Sequence, residues 1–163
     1  MLGVLRRLEL EHPERNIGFL LHDVARLMRK RFEQNARDLG LTRSQCQVLA
    51  HLSRHEGIQQ SNLAEILEVE PITLTRIVDR LEEAGLVERR AHPTDRRVRL
   101  LRLTKSAHPL LSDIFAIGAI TISEALDGMA DAERDRLFAI LAGMKGNLLR
   151  KASANGERRA NHG

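Results

Sequence analysis

The chain has 163 residues, enough for one compact domain with helical extensions, and a hydrophobic content of 42% supports a packed core and excludes wholesale disorder. The net charge is only +4, the single Cys46 excludes an intrachain disulfide, and the 2% of aromatic residues disfavours a single-strand binder built on base stacking. No run approaches the roughly eighteen apolar residues that cross a bilayer, and the N-terminus does not read as a signal peptide, so a cytoplasmic protein without membrane contact is expected.

His12-Pro13 separates a short arm containing Leu2, Leu5 and Leu8 from the first long pattern. From Asn16 to Leu39, apolar Ile17, Leu20, Leu21, Val24, Leu27, Met28 and Phe32 recur at helical spacing, and Gly40 closes the element. Thr42 and Gln45 form a capping-box pair at the start of a second helix, whose apolar positions are Cys46, Val48, Leu49 and Leu52. A short third helix starts near Ser61, with Leu63, Ala64, Ile66 and Leu67 as its buried side. After the tight Val69-Glu70 connection, Pro71 opens a fourth helix that carries Leu74, Ile77, Val78 and Leu81 inward and stops at Gly85.

There the period changes. Leu86 to Arg90 and Val98 to Leu103 read as strands around a turn at 91–95, and six arginines between Glu88 and Arg102 face two acids, Glu88 and Asp95. The positive excess is therefore concentrated on one hairpin. Thr104 is expected to cap a long apolar helix through Leu110, Leu111, Ile114, Phe115, Ile117, Ile120 and Ile122, broken by Gly128. A last helix spans Asp131 to about Lys151, followed by a polar, disordered tail. The fold class is mainly α with a small β-hairpin wing, divided into helices at 1–40, a lobe at 41–104, helices at 105–151 and a tail at 152–163.

Helix, helix, short turn, helix and basic hairpin make a winged helix-turn-helix. Such a unit offers one helix to the major groove of DNA and the hairpin to the flanking minor groove or backbone. The exposed start of the fourth helix presents Ile72 to a thymine methyl, and Thr73, Thr75 and Arg76 to base edges or phosphates, with Arg80 one turn on. Thr42, Ser44, Gln60, Ser61 and Asn62 lie at helix N-termini, where phosphates are attracted. Arg89, Asp95, Arg96 and Arg97 belong to the wing.

From Leu41 to Thr104 the chain resembles the MarR family of bacterial regulators, and within it the SlyA-like branch. The residues that carry the resemblance are Leu41-Thr42, Leu63-Ala64, Arg76, the run from Asp79 to Val87, the wing from Arg89 to Arg97, and Leu103-Thr104. It implies that Arg97 enters the minor groove while Asp95 holds the wing's shape. It also implies a homodimer formed by the terminal helices, repression at a pseudo-palindromic operator, and release by a small aromatic or phenolic acid. His22, Arg26, Ser44, Cys46 and Leu49 are the candidates for that ligand site.

Rival readings are a redox-responsive regulator acting through Cys46 and a winged-helix protein-interaction module. An enzyme is not expected: the chain has no phosphate-cradling glycine loop, no His-Glu-x-x-His and no Gly-x-Ser-x-Gly elbow. No cofactor is expected, and the seven histidines form no dense metal-ligand cluster.

Overall fold

The computed structural model describes residues 16–92, 94, 95 and 98–160. The expected N-terminal arm, Pro93, Arg96 and Arg97 lie outside the described residues. In chain order the elements are α1 (Ile17–Asn35), a 3-10 turn (Arg37–Leu39), α2 (Arg43–Leu52), β1 (Ile58–Gln59), α3 (Gln60–Ile66), α4 (Pro71–Glu83), β2 (Val87–Ala91), β3 (Arg99–Leu103), α5 (Ala107–Ala125) and α6 (Asp131–Ala160). The chain forms two compact units, residues 1–122 and 123–163.

Local chemistry sets most boundaries of the first unit. The Asn16 side chain accepts from the Gly18 and Phe19 N–H groups and starts α1. Thr42 accepts from Gln45 N at 3.3 Å, and Gln45 Oε1 accepts from Thr42 N at 2.8 Å, completing the expected capping box. Pro71 occupies the first turn of α4, where its missing N–H costs nothing. Past the end of α4, Gly85 adopts φ +69°, a left-handed conformation that side-chain-bearing residues rarely take. Between α3 and α4 the tight connection passes through Glu68, which is itself left-handed at φ 52°.

Three strands form one antiparallel sheet in the order β1-β3-β2. Val87 pairs with Leu103 and Ala91 with Arg99, which fixes the hairpin register, and Ile58 opposite Leu101 adds the third strand. β1 has no counterpart among the sequence expectations, because two residues are too few to show a period.

Inside this unit α2, α3, α4, the sheet and the start of α5 share one core. Val48, Leu49, Leu52, Leu63, Leu74, Val78, Leu81 and Leu101 have no exposed surface, and fully burying each aliphatic side chain stabilises by about 1.5–3 kcal/mol. Ile66, expected on the buried side of α3, is exposed, since α3 ends there and the chain turns away.

Two boundaries differ from expectation. Thr104 does not cap α5: its hydroxyl donates to the Gly85 carbonyl at 2.6 Å and its N–H to Leu86 at 3.0 Å, and the helix begins at Ala107. Both acceptors lie in the turn that follows α4, so Thr104 ties the end of β3 to the start of β2 instead. At the other terminus α6 runs to Ala160, past the expected stop at Lys151. The extension carries three alanines and two arginines, strong helix formers.

In the second unit, Glu133 accepts from Ala130 N at 2.9 Å and Arg134 donates to the Met129 carbonyl at 3.0 Å, securing the turn into α6. That helix carries exposed Phe138, Ile140, Leu141, Leu148 and Leu149. In the first unit α1 has no buried residue, and Ile17, Phe19, Leu20, Val24 and Leu27 are all exposed.

Candidate nucleic-acid interface

The face of α4 opposite its buried Leu74, Val78 and Leu81 presents Ile72, 61% exposed, together with Thr73, Arg76 and Arg80. These four stand where the sequence placed them. Thr75 does not stand among them. It is half-buried, its hydroxyl donates to the Pro71 carbonyl at 2.9 Å, and the same oxygen accepts from Gln60 Nε2 at 2.9 Å. Gln60 is thereby turned inward as well, while Ser61 and Asn62 remain exposed and joined by a 3.4 Å hydrogen bond.

Arg89, read from sequence as a wing cation, sits in β2 with its guanidinium against α4. It donates to Asp79 at 2.6 Å, to Glu82, to Gln60 at 3.2 Å and to the Thr75 carbonyl at 3.4 Å. Sequence reasoning missed Asp79 and Glu82 as its partners. They lie one turn apart on α4, but nothing in the primary pattern says that a strand arginine passes beside them.

Among the described residues the exposed cations on the hairpin are Arg90, ion-paired with Glu88 at 2.6 Å, and Arg99, which sequence reasoning did not single out although it alternates with Leu100 in β3. Asp95 is exposed, and its carbonyl accepts from Val98 N at 3.1 Å to close the wing turn. The Thr42 hydroxyl is committed to its helix cap, and Ser44 beside it is half-buried.

A second feature of this unit is a cavity of about 530 Å³ between α1, α2 and α5, within the size range of small-ligand sites. Phe32, Cys46, Ile114 and Phe115 make its apolar wall, and Arg29, Arg43 and Arg54 bring cations to it. Of the five residues expected here, Cys46 alone lines it. His22 is exposed and lies two turns before Arg29 on the same side of α1, short of the cavity, and Arg26 is exposed and paired with Asp23 at 3.1 Å. Leu49 is sealed in the core and Ser44 does not reach the cavity. On α2 the cavity takes the stripe Arg43, Cys46, Gln47, Ala50 instead. Burial pushes the Cys46 thiol above its ordinary value, and at 2% exposure it is protonated at neutral pH, the state least suited to oxidation.

A helix pair crowned by an antiparallel hairpin, with a polar and cationic face on its second helix, defines a winged helix-turn-helix protein. Residues 41–98 match the MarR family model. Among solved structures, the transcriptional regulator PA3341 is 36% identical, with 82% of this chain and 98% of that chain covered at TM-score 0.71. The regulator SlyA is 25% identical over 82% of this chain and 94% of its own, with TM-score 0.71. A mutant MarR from E. coli complexed with operator DNA is also 25% identical, over 82% and 96%, with TM-score 0.70. The chain belongs to the MarR family, and it is a DNA-binding transcription regulator.

Proposed function

We propose that this protein is a repressor of the SlyA-like branch that acts in the cytoplasm as a homodimer. Residues 41–104 serve as its DNA lobe and the helices on either side as its dimerisation region. It binds a pseudo-palindromic operator through two copies of α4 and leaves it when a small aromatic acid occupies the cavity between α1, α2 and α5. The observation that carries the reading is the two-faced α4: one side wholly sealed in the core, the other offering Ile72, Thr73 and Arg76. A helix so presented fits the major groove, where arginine reads guanine through two parallel hydrogen bonds. The complex that the E. coli relative forms with operator DNA supports the same use of the lobe here.

Selection of binding sites from random duplexes, followed by gel shift at several salt concentrations, tests this. A pseudo-palindrome with half-sites about 34–36 Å apart is expected. Affinity for it should fall steeply as salt rises, because phosphate contacts release counterions. Arg76→Ala should cost about 1–3 kcal/mol at particular base pairs, whereas Arg97→Ala should weaken all duplexes alike and flatten the salt slope by about 1. Recovery of no preferred duplex would overturn the proposal.

A further inference from the structure

Arg89 is the most heavily engaged side chain of the DNA lobe and is only 18% exposed. A guanidinium offers five N–H donors in a rigid plane. Here four of them are directed at the Gln60 side chain on α3, and at the Thr75 carbonyl, Asp79 and Glu82 on α4. The backbone N–H of Arg89 also donates to Glu82, at 3.2 Å, so strand β2 is tied to α4 twice. Gln60 completes the loop by donating to Thr75. One side chain therefore joins the first residue of α3, the middle of α4 and the wing strand.

Such a cation is poorly suited to holding a phosphate, because four of its five donors are occupied by the protein and its charge is outweighed by two carboxylates. It is well suited to setting an angle. Thr73 and Arg76 lie three to six residues before Asp79, roughly 5–9 Å along the helix axis, so a small tilt of α4 about the clamp moves both. Two-pronged base reading tolerates little displacement.

We infer that Arg89 is a positioning residue: it fixes α4 against α3 and β2, and thereby sets how sharply the protein distinguishes its operator from other duplexes, without touching the DNA. The inference rests on the DNA-binding reading above. Its test measures dissociation constants for the selected operator and for a scrambled duplex of equal length, across a salt series, for the wild type, Arg89→Met, Arg89→Lys and Asp79→Asn. Arg89→Met should lower the operator-to-scrambled ratio about tenfold or more while the slope of log affinity against log salt stays at the wild-type value. Lysine keeps the charge but not the fork, and should not restore the ratio. Asp79→Asn should lower the ratio in the same way, and adding it to Arg89→Met should lower it no further.

A slope reduced by about 0.9, with equal weakening on both duplexes, would mean that Arg89 holds a phosphate and would overturn the inference. An unchanged ratio in Arg89→Met or Asp79→Asn would also overturn it. Should Arg89→Met fail to melt cooperatively, Asp79→Asn decides alone, since its side chain is half-exposed and removing its charge leaves the core intact. A wild type without any operator preference defeats the DNA-binding reading itself, which is a separate outcome.

Discussion

The three arginines at the cavity are not equivalent. Arg43 is partly neutralised by Glu33 at 3.1 Å and donates to Gln47 at 3.2 Å. Arg29 and Arg54 have no carboxylate partner among the described residues. The charge of Arg54 is felt nearby: His51 titrates below its ordinary value, through burial first and then through the positive His55 and Arg54. An apolar wall beside uncompensated cations favours a ligand with a flat hydrophobic body and one anionic group. Benzoate and its neutral amide separate shape from charge. At a hundredfold excess over its dissociation constant, a ligand that binds only the native state stabilises by about 2.7 kcal/mol, worth roughly 5–10 °C in melting temperature for a chain of this size. Benzoate should produce a shift of that order, benzamide should not, and Arg54→Gln should remove most of the difference. Equal shifts from acid and amide would dismiss the arginines as the recognition element.

At the scale of elements, α2 is the piece that joins the two sites. One side of it contributes Cys46, Gln47 and Ala50 to the cavity, and the other packs Val48, Leu49 and Leu52 into the core shared with α4. Its start depends on the Thr42–Gln45 box. Thr42→Ala should therefore destabilise by about 1 kcal/mol, a drop of roughly 2–4 °C, and Thr42→Ser should recover it. The salt slope of DNA binding should not change, because the hydroxyl is spent on the cap; a flattened slope would return Thr42 to the list of phosphate anchors. This box, Pro71 and Gly85 were legible in the sequence because each acts within a few residues of itself. The outward face of α4 was legible for a related reason: its helical phase is fixed by the sealed Leu74, Val78 and Leu81. What escaped is non-local. Thr104 is claimed by a carbonyl nineteen residues earlier, β1 exists only because β3 passes beside it, and the Arg89 clamp spans three elements. The cavity residues on α1 were misplaced because that helix has no fully buried side chain to mark which of its turns meets the cavity.

At the scale of the whole molecule, the unsealed apolar surface is unequally distributed. Among the described residues the buried core cluster runs from Cys46 to Ile114, with Phe32, Leu39 and Leu41 packed against it, yet α1 exposes Ile17, Leu20, Val24 and Leu27 in one stripe at three- and four-residue spacing. On α6, Leu141 and Leu148 recur at a seven-residue interval, and Phe138, 79% exposed, precedes Leu141 by three. This is the spacing of a seam between helices, and a chain stable in water rarely leaves two such stripes open. A second copy is the occupant that the proposed pseudo-palindromic operator calls for, because tethering two lobes would make the second half-site encounter intramolecular, at an effective concentration near millimolar. Charged residues at the seam should undo this without harming the fold of a lobe whose core lies elsewhere. Wild type is expected to sediment at twice the chain mass, and a Phe138→Glu, Leu148→Glu double variant at the chain mass, with its helical circular dichroism retained. On an operator of two half-sites the variant should lose affinity by a factor of one hundred or more, while on a single half-site it should bind as the wild type does. A wild type that sediments as a single chain, or a double variant that keeps both its mass and its operator affinity, would remove these helices from the account of how the protein grips DNA.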